Sequence, residues 1–197
     1  MAITSGHQVI CCDRNRRGGL KAIYLVEQGN IGTVSAPSSG VIANFPTVNS
    51  ADESTPLAYK FDFDRGTAGF SANASRENGS TLITVELEFY IPKVTAEVNL
   101  RLNELATSCG IFAVVETYAD DCTAPTTYKF ILGYDVIFGK TAYLEFASGE
   151  QTTGVGLQDA NGTLIKLTGE QGEYPLEYSG TITASDATDP TDPYTLT

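Results

Sequence analysis

Hydrophobic residues along this chain recur mostly at every second position. In "TLITVELEFYI", residues 81 to 91, Ile83, Val85, Leu87, Phe89 and Ile91 fall on one face, with Thr84, Glu86 and Glu88 on the other. That period of two marks a half-buried strand. At over ten residues the segment exceeds the common length of about 5 or 6 and is long enough to cross a barrel wall. "PLAYKFDFD", 56 to 64, alternates as cleanly: Leu57, Tyr59, Phe61 and Phe63 against Ala58, Lys60, Asp62 and Asp64. "LKAIYLVEQ" (20 to 28) is a first strand, and "IFAVVETY", "TYKFILGYDVIF", "TAYLEFAS" and "GTLIKLTGE" follow as further strands. Turn signals at Ala124-Pro125, Gly139-Lys140, Ser148-Gly149 and Asn161-Gly162 join them, the last an Asn-Gly dipeptide that predicts a type I′ hairpin. "EYPLEYSGTITA" adds a final strand, confined by Pro175 to an edge or a bulge.

A single segment has the helical period. In "PKVTAEVNLRLNELATSCG", Val94, Val98, Leu102 and Leu105 form one stripe, Glu97, Arg101 and Glu104 mark the other face, and Gly110 stops the run. The predicted fold is therefore mainly β, a β-sandwich or partial barrel with one packing α-helix at about residues 94–108 and a long early loop. That loop, Gly29 to Pro56, has no period, and connections in compact domains rarely exceed about 15 residues without a job. Its apolar Val41, Ile42 and Phe45 are expected to dock on something. "RGTAGFSANASRENGS", 65 to 80, reads as turn-rich. The chain divides into an N-terminal arm (1–19), one β-rich domain (20–183) and an acidic, turn-prone C-terminal tail (184–197).

Composition supports this outline. Ten Tyr, nine Phe, nineteen Gly and no Trp in 197 residues suit a β-rich chain, and 42% hydrophobic content excludes wholesale disorder. The formal charge of -12 is uneven: residues 1 to 103 hold nine basic against ten acidic side chains, residues 104 to 197 three against fourteen. So acidic a surface repels DNA and anionic membranes. No stretch reaches the roughly 18 apolar residues of a membrane span, and the first residues lack the pattern of a signal peptide. Cys11, Cys12, Cys109 and Cys122 are then expected as reduced thiols, and the sequons at Asn73, Asn78 and Asn161 as chance. "DRNRRGG", with Arg14, Arg16 and Arg17, is the only basic cluster; it suits contact with an acidic neighbour or a solvated tail.

Motifs that resemble chemistry fail on spacing. "GYDVIFGKT" ends like a phosphate-binding loop, but five residues rather than four separate Gly133 from Gly139, and the spacer alternates like a strand. His7, the only histidine, lies in the arm, where a catalytic base is poorly held. The cysteines lack zinc-knuckle spacing. In "DANGTLIKLTGE", Asp159, Asn161 and Glu170 imitate calcium-loop positions, but Leu164 stands where the loop needs glycine. Glu86 and Glu88 lie about 7 Å apart on one strand face, a glycosidase-like separation. A catalytic pair needs unequal environments, and neighbours on one alternating face share theirs. The expectation is a chain with no catalytic residues, no cofactor and no metal.

If the strands at 57–64 and 81–91 pair, Asp62, Asp64, Glu86 and Glu88 share one surface, and like charges across strands require hydration. An exposed sheet face provides that; so does a water-filled channel lined by repeated copies. The order of parts, "LKAIYLV", the loop, two alternating strands, the helix "VTAEVNLRLNELATS", then "YKFILGYDVIF", "TAYLEFAS" and "NGTLIKLTGE", resembles the tail tube (major tail) proteins of tailed bacteriophages over residues 20 to 178. The resemblance implies a structural virion protein, assembled in the host cytoplasm, that forms hexameric rings stacked into a tube whose acidic lumen conducts DNA during genome ejection. It implies Asp62, Asp64, Glu86 and Glu88 as lumen residues, Val41, Ile42 and Phe45 as inter-ring contacts, and Arg14, Arg16 and Arg17 as arm contacts. Partners would be further copies and other virion tail proteins; DNA would pass without specific binding, and no membrane is involved. Alternatives are another virion component (a tail terminator, baseplate ring or capsid decoration protein) or a carbohydrate-binding or adhesion β-sandwich; an enzyme would gather polar residues from several strands into a pocket.

Overall fold

A computed structural model describes residues 18–45, 58–120, 127–155, 159–180, 182–185 and 193–195. The strands are β1 (Leu20–Glu27), β2 (Val41–Ile42), β3 (Ala58–Phe61), β4 (Ala68–Glu77), β5 (Ser80–Pro92), β6 (Ile111–Asp120), β7 (Thr127–Leu132), β8 (Leu144–Thr152), β9 (Gly162–Gln171), β10 (Leu176–Tyr178), β11 (Thr183–Ser185) and β12 (Pro193–Thr195). Among the described residues there is one α-helix, α1, which spans Ala96–Thr107. The fold is mainly β, as the periodicity predicts. The strands form an open mixed sheet in the order β12-β11-β3-β1-β6-β8-β9-β5-β4, and β6 also starts a branch through β7 and β10 to β2.

The β8-β9-β5-β4 side turns back over β1 and β6 and encloses the main core. Leu20, Ile23 and Leu25 of β1 meet Val85, Leu87 and Phe89 of β5 there, with Ala113 and Val115 of β6 and Ile165 and Leu167 of β9. A second core lies on the other face of β1 and β6, where Ala22, Tyr24, Val26, Phe112 and Val114 pack with Ile31, Ile42, Phe45, Ile131, Leu176 and Tyr178. β1 and β6 are therefore buried on both faces, which is why "AIYLV" and "IFAVV" are unbroken apolar runs.

At the rim of the sheet Glu116 of β6 is buried. It accepts hydrogen bonds from Lys21 Nζ at 2.8 Å and from the Thr127 hydroxyl. Burial pushes its carboxyl up, but the bonds from Lys21 and Thr127 and the charges of Lys21 and Lys129 outweigh that and hold it below the usual carboxylate range.

Several elements differ from the sequence expectation. The turn-rich 65–80 segment is largely β4, closed onto β5 by Asn78-Gly79, both at positive φ (50° and 83°) as a type I′ turn requires. The expected long strand at 127–138 ends at Leu132. Asp135 takes the backbone N–H of Phe138 on its Oδ1 at 2.5 Å, and this local turn competes with the ladder. No hairpin forms at Gly139-Lys140, because β7 pairs with β6 and β10 while β8 pairs with β9 and, at one position, with β6. Asn161-Gly162 is no hairpin turn either: Gly162 already pairs with Pro92 and Thr152 inside the sheet. Asn161 serves the helix entry, its carbonyl accepting from Lys93 N at 2.8 Å and its Oδ1 from Val94 N at 3.2 Å. The final strand is two short ones, β10 and β11, with β10 parallel to β2.

The helix begins where capping predicts, with the Thr95 hydroxyl accepting from Val98 N at 3.2 Å. Of its residues only Leu105 is buried, and Leu100 is 55% exposed. The loose seat leaves a cleft of about 480 Å³ between α1 and the β1–β3 edge.

Candidate assembly interface

The features of this molecule that invite chemistry with a neighbour are a sheet edge, a charged face and a protruding loop. Among the described residues β4 pairs only with β5 and so ends the sheet. Its register with β5 runs without a shift from Ala68↔Phe89 to Glu77↔Ser80. In a hairpin closed by a two-residue turn the closing pair exchanges hydrogen bonds and every second pair does the same. Glu77, Ser75, Asn73 and Ser71 therefore turn their amides to β5, while Arg76, Ala74, Ala72 and Phe70 turn theirs outward. From Ser71 to Glu77 every residue but Ala72 is exposed. Folded proteins blunt such an edge with Lys, Pro or a bulge; "AGFSANASRE" has none of these, and its one cation, Arg76, stands near the tip.

The outer face of the same layer is polar. Ser71 and Asn73 of β4 sit opposite Glu86 and Thr84, which on their other side face Thr168 and Glu170 of β9. Glu88 faces Lys166, and Glu145 of β8 faces Thr168. Lys166 Nζ ion-pairs with Glu86 at 3.0 Å, and both side chains are more than a third exposed. At its centre four carboxylates (Glu86, Glu88, Glu145, Glu170) stand against one ammonium, and Glu77 and Glu150 lie on the same face, so it is strongly acidic.

Only two of the four acidic residues singled out in the sequence belong to it. β3 pairs with β1 and β11, never with β5. The two strands instead face each other across the main core, where the Phe61 and Phe89 rings stand 5.9 Å apart. Phe61 and Phe63 pack inward, so Asp62 points to the opposite side of the molecule from Glu86 and Glu88, and it pairs with Lys60 at 2.9 Å. Asp64 is exposed in the turn after β3, its carbonyl accepting from Thr67 N at 3.1 Å.

The apolar anchors of the early loop are used within the chain. Ile42 and Phe45 are buried in the second core, and only Val41 is half-buried. Phe45 is edge-on to Phe112, Tyr134 and Tyr178 at 6.1, 5.7 and 6.4 Å. Burial pushes the Tyr178 hydroxyl's pKa up, and a hydrogen bond with the Phe45 backbone partly offsets this. Ile42 and Phe45 are thus unavailable to a neighbouring ring: the docking expected of them happens on their own sheet. Arg14, Arg16 and Arg17, like His7, Cys11, Cys12 and Cys122, lie outside the described residues; Cys109 is exposed and free.

The sequence reading missed the loop at 134–138. Asp135 is fully buried, and its Oδ2 accepts from Gly172 N at 2.5 Å. Gln171 Nε2 donates to Tyr134 O at 2.8 Å, and the Lys140 ammonium donates to Ile31 O. Held at this base, Val136, Ile137 and Phe138 stand out 51%, 61% and 44% exposed. The signal was present as three large apolar residues in a row after Asp135, but their strand-like alternation masked it.

No family model, no curated protein and no solved structure matches the chain.

Proposed function

We propose that this chain is a structural, self-assembling subunit without catalytic activity, in the manner of a bacteriophage tail tube protein: copies join edge to edge into rings, and stacked rings form a conduit. The observation that carries the reading is the unguarded edge of β4, a row of outward amides and carbonyls that a second strand can continue. Addition of a neighbour's edge would extend the acidic outer face from copy to copy. If that face lines the lumen, Glu86 and Glu88, with Glu145 and Glu170, would keep a DNA backbone off the wall by like-charge repulsion. Asp62 and Asp64 are not proposed as lumen residues, because they lie away from this face. The chain's partners would be further copies and other virion tail proteins.

The test is electron microscopy of the purified chain over a range of concentration and salt, beside Ala74→Pro. That substitution removes an outward amide from the free edge while leaving the bonds to β5 in place, as edge strands tolerate. Rings or tubes with a central hole, lost in Ala74→Pro, are expected. A dispersed monomer under every condition, or tubes that Ala74→Pro leaves unchanged, would overturn the edge-to-edge reading.

A further inference from the structure

We infer a second, head-to-tail contact between copies of this chain: the apolar knob Val136-Ile137-Phe138 of one copy seats in the cleft between α1 and the β1–β3 edge of another. The inference rests on the self-assembly reading above and adds an interface separate from the β4 edge.

The knob is built to stay out. A buried carboxylate is costly unless it is fully hydrogen-bonded, and both oxygens of Asp135 are committed to backbone amides at the knob's base, from Phe138 and Gly172. Gly172 leaves the room Ile137 needs, since a Cβ there would come within 2.9 Å of the Ile137 side chain. A loop held this firmly loses little conformational freedom on docking. Three consecutive large apolar residues held in water by a buried carboxylate do nothing for the chain's own core.

The cleft is the complementary feature. Leu25, Phe61, Ile91, Val98 and Leu105 give it an apolar floor and walls, and its 480 Å³ lies within the roughly 300 to 1,000 Å³ of pockets that bury an apolar group. Its rim carries Glu27, Asp62, Glu97 and Glu104 against Lys60 and Arg101, a balance of -2. At the base of the knob the Asp135 carboxylate and the Lys140 ammonium, which donates to Ile31 O, cancel in charge, so the knob presents an uncharged apolar tip. A strongly anionic ligand would meet that rim's repulsion, whereas an uncharged apolar tip meets the apolar walls without it. Knob and cleft are different surfaces of one chain, so the contact is heterologous and repeats from copy to copy.

The test places a photo-reactive benzoylphenylalanine at Phe138 of the full-length chain and mixes isotopically heavy and light protein before irradiation. Mixed heavy–light cross-links to residues 59–62 or 97–105 are expected, falling about tenfold or more when Val98→Arg or Tyr59→Glu is added. Cross-links to other surfaces, only within one copy, or no more frequent than from a control probe at the exposed Val155 would overturn the proposal. So would capture by the cleft of the arm, residues 1–17. Repeating the mixture in Ala74→Pro separates the two interfaces: assembly unaffected by Ala74→Pro refutes the edge, while loss of the position-138 cross-link alone refutes the knob.

Discussion

Phe45→Ala should weaken the isolated subunit rather than its contacts with others. The ring is 2% exposed and edge-on to three aromatic neighbours. Emptying a buried Phe site costs about 3–5 kcal/mol, the upper part of that range applying where the walls cannot collapse. Each well-oriented aromatic pair adds about 0.5–1.5 kcal/mol beyond area. Phe112 is fixed in a strand buried on both faces, so relaxation is limited and we expect about 4 kcal/mol. With a urea slope near 2 kcal/mol/M, the unfolding midpoint should fall by about 2 M, and the melting temperature by about 8–16 °C. The assay is urea unfolding at a concentration where the protein is monomeric, followed by tyrosine fluorescence and far-UV circular dichroism. A loss under about 1 kcal/mol, coupled with defective assembly, would refute the assignment of Phe45 to the internal core and return it to an inter-ring role.

Glu116→Gln should cost about 1–2 kcal/mol at neutral pH, a buried charged hydrogen bond discounted for the half-exposed Lys21. Because the folded-state carboxyl is held below the usual carboxylate range, its contribution is complete above that range and is lost as pH falls through the lower folded value. Urea midpoints from pH 7 to 3 should therefore converge for wild type and variant. Asp135→Asn should cost about 2–3 kcal/mol, since an amide cannot accept both backbone donors; proteolysis at 134–140 should rise with it. Gly79→Ala meets no atom but forces a side chain into φ 83°, so a loss of about 1 kcal/mol is expected in the same unfolding assay.

The strands whose alternation is carried by large side chains were legible, and so was the helix, whose cap and stripe both follow rule. β4 was not: its inward face is Ala68, Phe70, Ala72 and Ala74 and its outward face Gly69, Ser71, Asn73 and Ser75, so the period of two was present but written in residues that also make turns. The Asn78-Gly79 dipeptide was the signal that could have recovered it. Asn161-Gly162 bears the same letters and makes no turn, because Asn161 is engaged at the helix entry. Pairing partners were the least legible. Which strand lies beside β3 is decided by two cores filling at once, and so Asp62 parted from Glu86. The β4 edge and the apolar knob were invisible for the same reason: both are defined by what fails to cover them.

The double burial of β1 also sets a schedule. Ile23 and Val115 are paired across the sheet, so the first strand leaves the ribosome on the order of ninety residues before its partner, a wait of roughly 5 to 20 s at ordinary synthesis rates. Through that interval "AIYLV" lacks the strand that pairs along it, and neither core can close without β6. In a cell making many copies at once, the time a nascent chain spends with that segment bare would govern yield as much as the strength of the finished subunit.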